Sequence, residues 1–95
     1  MRKYGRKDAN QDDIVEKLLG IGASVQSLAS VGDGVPDILV GYLGVNYLFE
    51  IKDGDKPPSK RRLTPDEIDW HTNWKGNVLV VKSFEEALDF LQRGG

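Results

Sequence analysis

The chain lacks cysteine and carries one histidine, His71, among its 95 residues. These shortages exclude a disulfide framework, a thiolate zinc site and a multi-histidine metal cluster within one chain. No apolar run approaches the ~20 residues of a membrane span, and no apolar signal core follows the basic segment 1–7. We therefore expect one domain over residues 1–95 in a cytoplasmic protein with no membrane partner.

Acidic and basic residues are unevenly distributed, although the net charge is only -2. Segments 1–7 and 56–62 contain no acid and hold eight of the thirteen basic residues. Such local patches can contact phosphates while the rest of the protein stays acidic. The alternative is that both are solvated segments that aid solubility. The candidate contacts in the second segment, which lies in a loop over 53–63 expected to be mobile, are Lys56, Lys60, Arg61 and Arg62.

Hydrophobic periodicity predicts the first half of the chain as a helix followed by three strands. Helical spacing of apolar residues favours a helix over about 9–21, with capping chemistry at 8–10. A strand is predicted over 23–28. Two further apolar segments, 35–41 and 46–52, are joined by a short turn and predict a hairpin.

The second half is predicted as helix, strand and helix. Thr64, Pro65 and Glu67 form the pattern of a capping box with proline at the first helical position, and the helix is expected to end near Gly76. Residues 77–81 read as a strand, and Ser83 with Glu86 predicts a second capping box. The resulting order, αβββαβα, predicts an α/β fold with a mixed sheet flanked by helices.

Three charged residues interrupt the predicted hairpin. Glu50 and Lys52 share one face of their strand because they are two residues apart, and the hairpin could bring Asp37 alongside them. Each motif alone is more often structural, but charges in an apolar run are costly unless they are paired or bind metal. Two carboxylates with one lysine suit a divalent metal site that acts on phosphate.

These residues resemble the PD-(D/E)xK nuclease superfamily, which has a restriction-endonuclease-like core. The closer resemblance is to the virus-type replication-repair nuclease domain, VRR-NUC. It rests on Gly34-Val35-Pro36-Asp37, on Phe49-Glu50-Ile51-Lys52, and on Leu63-Thr64-Pro65 opening a helix that carries Trp70. It covers about residues 8–92 and points to the stand-alone bacterial and bacteriophage members.

The resemblance implies a phosphodiesterase that depends on Mg²⁺ or Mn²⁺. Asp37 and Glu50 would be metal ligands, and the backbone carbonyl of Ile51 would complete the shell. Lys52 would orient or polarise the attacking water, or stabilise charge on the phosphate. A lysine beside two carboxylates should stay protonated, which favours the electrostatic role.

One position departs from the superfamily pattern. Many members place a glutamate on the first helix near the metal, and the corresponding residue is Gln11. Its carbonyl oxygen could contribute to the site or hold a metal-bound water. Asp13 and Glu16 are nearby acids, but helical geometry cannot place all three side chains on one face.

Other residues admit both a functional and a structural interpretation. His71 could approach the phosphate, or be a structural histidine. Ser30 lies in a glycine-containing loop whose N–H groups could face DNA phosphate. Glu67 could face the site or only close its capping box. Trp70 and Trp74 share a helix face; core packing is the favoured interpretation, and stacking on an unpaired base is the alternative.

The sequence thus predicts a metal-dependent, structure-selective DNA endonuclease in a bacterial or phage-infected cell. We expect a homodimer that acts on branched DNA as a Holliday-junction resolvase, with the strand over 77–81 or the last helix as the dimer surface. The alternatives are a nuclease for flaps, nicks or duplex, a non-catalytic DNA-binding module, and a small interaction protein without a nucleic-acid role.

Overall fold

A computed structural model describes residues 10–94, so the basic segment 1–7 and the capping residues Asp8 and Ala9 lie outside the described residues. The predicted order of helices and strands is confirmed. The elements are α1 (Gln11–Gly20), β1 (Ser24–Ser27), β2 (Ile38–Tyr42), β3 (Val45–Ile51), α2 (Pro65–Asn73), β4 (Val78–Val81) and α3 (Phe84–Arg93), with a 3-10 turn at Pro58–Lys60 inside the basic loop.

The four strands form one mixed sheet in the order β1-β2-β3-β4. The first three strands are antiparallel, and β4 runs parallel to β3. A parallel pair needs a crossover connection, and α2 lies within it. The hairpin turns at Leu43 and Gly44, which both have positive φ, as two-residue hairpin turns require.

One face of the sheet carries the core. Alternate residues of β2 and β3 point to this face, where they pack with α1 and α3. The contributing residues are Ile14, Leu18, Ala23, Ile38, Val40, Tyr47, Phe49, Ile51, Val81, Ala87 and Leu91. The intervening residues of β3, including Glu50, therefore point to the opposite face, on the side of α2.

Two predicted caps differ from the structure. Asn10 occupies the N-cap of α1 but makes no capping hydrogen bond; its Nδ2 instead donates to the carbonyls of Lys82, at 2.8 Å, and Lys52, at 3.3 Å. Ser83 caps α3 as expected, but Glu86 Oε1 accepts from the N–H of Lys82 rather than of Ser83. In both cases the side chain ties the helix start to the end of a strand.

Strand β2 and helix α2 are also shorter than predicted. Strand β2 begins at Ile38 rather than at residue 35, because the preceding segment turns at Asp33 and Gly34, which both have positive φ. Helix α2 ends at Asn73 because Trp74 is already extended, with ψ 133°. The capping box of Thr64 and Glu67 is confirmed.

Candidate active site

The end of the β2–β3 pair brings the two carboxylates together. Ile38 lies opposite Phe49 in this antiparallel pair, and Asp37 directly precedes Ile38. The side chains of Asp37 and Glu50 interact directly. The N–H of Asp37 donates to the Phe49 carbonyl at 3.1 Å, and Asp37 Oδ2 accepts from the N–H of Ile51 at 2.6 Å. The hairpin therefore holds Asp37 from both its backbone and its side chain.

Burial makes this carboxylate pair electrostatically costly. Glu50 is only 3% exposed. Burial, followed by the charge of Asp37, raises the pKa of Glu50 to about 9. Burial also raises the pKa of Asp37 above its usual value, although the hydrogen bond from Ile51 opposes the shift. A buried and a half-buried carboxyl group in contact resist ionising together, which is the situation that a bound cation relieves.

Lys52 lies on the same face and is held by two acids. Its Nζ is 3.0 Å from Glu67 Oε1 and 3.7 Å from Glu50 Oε2. Its backbone N–H donates to the Val81 carbonyl at 3.0 Å, which fixes the end of β3 against β4. The ammonium is therefore positioned between the carboxylate pair and α2.

Glu67 has both of the roles that the sequence left as alternatives. Its Oε1 accepts from the Thr64 N–H at 2.9 Å, which closes the capping box, and also from Lys52 Nζ at 3.0 Å. Burial alone would raise the pKa of Glu67, but the Thr64 N–H and Lys52 outweigh it and lower the pKa. The sequence signal was present in the capping box, but only the packing of α2 shows that the same oxygen reaches Lys52.

A glycine lets α2 approach the carboxylates. Gly34 has φ +84°, and a Cβ built on it would clash with the backbone carbonyl of Asp66 in the first turn of α2. Glycine alone tolerates both the conformation and the contact. The Gly34-Val35-Pro36-Asp37 segment therefore brings the helix that carries Glu67 against the loop that carries Asp37.

His71 reaches the same cluster from α2. Its Nε2 lies 3.7 Å from Glu50 Oε1, and neither atom has a hydrogen-bond partner among the described residues. Burial lowers the pKa of His71, which favours the neutral ring. Its edge packs against Trp70 at a ring separation of 6.3 Å.

Gln11 is a buried polar residue in the first turn of α1, and its role at the metal site stays a prediction. It is buried at 6% exposure, and its Oε1 accepts no hydrogen bond among residues 10–94. The neighbouring Asn10 ties this end of α1 to the carbonyl that follows β3. Asp13 instead pairs with Lys17 on the exposed side of α1, and Glu16 is also exposed.

The other predicted contacts lie around this centre. Ser30 is exposed in the loop before Pro36, and the structure does not join it to the carboxylates. Lys56, Lys60 and Arg62 are exposed, whereas Arg61 is partly buried. The 3-10 turn gives part of the loop over 53–63 a regular structure. The mobility of this loop stays a prediction.

The interpretation of both tryptophans as core residues is wrong. Trp74 is 47% exposed, and none of the residues of α2 is fully buried. The two rings stack on each other at 4.6 Å. They lie over the face of the sheet opposite the core, where they line a cavity of about 420 Å³ with Leu39 and Leu48.

A divalent ion fits the donor set only if oxygen atoms other than acidic side chains take part. Among residues 10–94, no three histidine, cysteine or acidic side chains are grouped to hold a metal ion. The carboxylates of Asp37 and Glu50 are hard ligands of the kind that Mg²⁺ prefers. Gln11 Oε1 and Glu50 Oε1 are buried acceptors without partners among these residues. The ligand role of the Ile51 carbonyl stays a prediction.

The mixed sheet and its Asp37, Glu50 and Lys52 cluster define a PD-(D/E)xK-like fold. A solved VRR_NUC domain structure superimposes on the chain with a TM-score of 0.63 and 27% sequence identity, covering 86% of this chain and 89% of that one. No family model and no curated protein matches the chain. The structural match confirms the resemblance to VRR-NUC domains and supports a nuclease domain in general terms. None of the helices in the described part of the chain is long and apolar enough to cross a membrane.

Proposed function

We propose that this protein is a metal-dependent, structure-selective DNA endonuclease that hydrolyses phosphodiester bonds. The observation that carries the proposal is the contact of the buried Glu50 carboxyl group with the half-buried Asp37 and with Lys52. The similarity to a VRR_NUC domain supports the same chemistry. As part of this proposal, we keep the prediction that the protein acts in the cytoplasm of a bacterial or phage-infected cell.

Asp37 and Glu50 would hold Mg²⁺ or Mn²⁺, with the oxygens of Gln11 and of the Ile51 backbone completing the site. A bound ion of this kind lowers the pKa of water and neutralises charge on phosphate. Lys52, held by Glu67 at 3.0 Å, would place a fixed positive charge where negative charge develops on the phosphate. His71, at 3.7 Å from Glu50, would orient that carboxylate from the side of α2.

We further propose that the substrate is branched DNA and that the active form is a homodimer resembling Holliday-junction resolvases. A two-fold dimer presents two active sites to paired strands. Strand β4 supports dimerisation because it is an apolar strand at the sheet edge; α3 is the second candidate surface. Light scattering on the purified protein tests this part: a monomer at working concentration would contradict it.

The test of activity compares a labelled four-way junction, a flap and a linear duplex in Mg²⁺, Mn²⁺ and EDTA. Lys52→Ala should be inactive, and Lys75→Ala should retain wild-type cleavage because it removes the same charge from an exposed position. Paired symmetric nicks in the junction alone would support the resolvase. Equal cutting of flap or duplex would keep the nuclease and reject the junction preference. Binding without cleavage under all conditions would favour the non-catalytic module.

A further inference from the structure

A second cavity, with a positively charged lining, lies directly beside the candidate active site. Its volume is about 250 Å³, which is room for several waters at about 30 Å³ each. The lining residues are Lys52, Pro58, Arg61, Arg62, Val80 and Lys82. Lys52 belongs to both places, since its Nζ is 3.7 Å from Glu50 Oε2. We call this space the basic cavity.

The charges of the basic cavity favour an anion. Four of its six lining residues are cationic, and none is acidic. Lys52 and Lys82 are partly offset by Glu67 and Glu86 at 3.0 and 3.1 Å. Within residues 10–94, neither arginine forms an ion pair.

Arg61 gives an independent indication of a missing ligand. Its Nε is buried, yet donates no hydrogen bond within the described residues. A buried donor without an acceptor is costly, so the Arg61 guanidinium would gain by turning toward an acceptor in the cavity that this residue lines. A guanidinium suits phosphate oxygens in particular, because its planar donors match them two at a time.

Three separate elements hold the walls of the cavity in place. Lys52 follows β3. Arg61 follows the 3-10 turn and donates its N–H to the Pro58 carbonyl at 3.1 Å. Lys82 follows β4; its N–H donates to Glu86 Oε1 and its carbonyl accepts from Asn10 Nδ2, each at 2.8 Å. These contacts fix the backbone from which the cationic side chains project.

We propose that the basic cavity binds an internal phosphodiester group of the DNA strand, next to the one cleaved at Asp37 and Glu50. Arg61 and Lys82 supply the donors, and their position relative to the carboxylates determines which bond of the strand is cut. The inference rests on the proposed function for the identity of the strand. Binding of a phosphate group by the cavity follows from the charges and the unpartnered donor alone.

The first experiment measures binding without DNA. Inorganic phosphate is titrated into the metal-free protein at constant ionic strength, and backbone amide shifts are followed by NMR. Lys82→Gln and Arg61→Gln should each weaken binding about fivefold to tenfold, because each removes a charge-assisted contact. Lys75→Gln, at an exposed position away from the cavity, should leave it unchanged.

Glu86→Gln should change the affinity for phosphate in the opposite direction. A gain in affinity cannot come from unfolding, so this variant distinguishes a lost contact from a lost fold. Glutamine keeps an acceptor for the Lys82 N–H but removes the negative charge 3.1 Å from Lys82 Nζ. We expect phosphate to bind about two to three times more tightly, since a charge at this separation near the surface is partly screened. No tightening, together with no weakening in Lys82→Gln and Arg61→Gln, would overturn the cavity as a phosphate site.

The second experiment locates the contact on DNA. Single methylphosphonate linkages, which are neutral, are placed at each position around the cut in a substrate strand. One position next to the cut should slow cleavage by wild type about tenfold, and Lys82→Gln should show little additional loss there because the contact is already gone. Lys82→Gln should also lower the salt slope of DNA binding by about 1.

The outcomes separate this inference from the proposed function. Cleavage with a methylphosphonate profile that Lys82→Gln does not change would overturn the cavity and keep the nuclease. Phosphate binding in the cavity without any DNA cleavage would keep the cavity as a phosphate site and reject the nuclease. Strands with and without a 5′-terminal phosphate form the last arm: dependence on the terminal phosphate alone would reject an internal phosphodiester as the ligand.

Discussion

The two faces of the sheet come from alternate residues of the same strands, and they differ in the kind of side chain that they bury. On the core face, Ile38, Phe49 and Val81 are each at most 1% exposed and belong to the hydrophobic core cluster. On the other face, Glu50 is almost as buried, at 3%, yet it lies against Asp37 and Lys52. Burial of apolar surface stabilises the first face, whereas burial of like charges destabilises the second.

The helices follow this division. Helices α1 and α3 contribute fully buried residues to the core, but α2 contributes none. Helix α2 instead covers the charged face through Glu67 and His71. Stability therefore resides mainly on the core face and the proposed chemistry on the other, so substitutions on the two faces should have separable effects.

The largest expected effect is on catalysis, from Asp37→Asn or Glu50→Gln. Each variant should lose at least about 1000-fold in cleavage rate, or about 4 kcal/mol of transition-state stabilisation, because each removes a proposed metal ligand. Without metal, DNA binding should be preserved in Glu50→Gln, because this carboxyl group is already protonated below about pH 9. It should be preserved or strengthened in Asp37→Asn, which removes negative charge that faces phosphate. Cleavage assays and filter binding measure the two, with exposed Glu85→Gln as control; cleavage within tenfold of wild type would reject the assignment.

On the core face the expected effect is on folding. Phe49→Ala should lower the free energy of unfolding by about 3–5 kcal/mol, because it leaves a cavity under the sheet. Val80→Ala, on the other face and 38% exposed, should cost less than about 1 kcal/mol. Urea denaturation followed by circular dichroism gives both values, and equal losses would show that the two faces do not differ in this way.

The contact of the loop at Gly34 with helix α2 is tested by comparing Gly34→Ala with Gly32→Ala. Both glycines have positive φ, but a Cβ at Gly32 meets nothing within 4 Å, whereas one at Gly34 clashes with the Asp66 backbone. Gly32→Ala should cost about 1 kcal/mol from backbone conformation. Gly34→Ala should cost about 1–3 kcal/mol more and lower cleavage by displacing α2. Similar stabilities for the two variants would show that α2 adjusts freely.

The charged face should also make stability depend on pH. Glu50 keeps its proton to about pH 9 in the folded protein, but ionises near its usual 4.5 when unfolded. The folded state therefore binds more protons between these values, so its stability should fall as the pH rises through this range. In EDTA, Glu50→Gln should flatten this fall between pH 5.5 and pH 8.5, and exposed Glu85→Gln should not. An unchanged pH profile in Glu50→Gln would contradict the burial of this charge.

The smallest effect is expected from Glu67→Gln. Glutamine can still accept from the Thr64 N–H, so the capping box persists and the stability loss should stay below about 1 kcal/mol. Without the carboxylate, Lys52 is held less firmly, and we expect about a tenfold loss in the cleavage rate with little change in DNA affinity. Asp66→Asn removes a neighbouring exposed charge and serves as control. Equal rates for both variants would limit Glu67 to capping.

Local patterns were enough to predict much of the fold and part of the site. The period of apolar residues indicated the helices and strands, because it reflects which face is buried. The hairpin placed Asp37 beside Glu50, since a short turn fixes the register of two strands. The start of α2 was equally predictable, because the capping interactions of Thr64, Pro65 and Glu67 span only three residues.

The long-range side-chain contacts could not be predicted from the sequence. Asn10 and Glu86 have the composition of helix caps, but their side chains reach the Lys82 backbone once α1, β4 and α3 are packed. Lys82 gave no signal by itself; it acquires a candidate role because the basic loop folds beside the end of β4. Trp74 reads as a core residue, yet it packs on Trp70 outside the core.

The sequence by itself determined the order of elements, the shared strand face of Glu50 and Lys52, and the hairpin that brings Asp37 near them. These depend on local periodicity and on one short turn. The tertiary structure decided how α2 lies over the sheet, and with it the contact of Glu67 with Lys52, the position of His71 and the basic cavity. Those contacts join residues far apart in the chain, and their geometry depends on packing that no local pattern encodes.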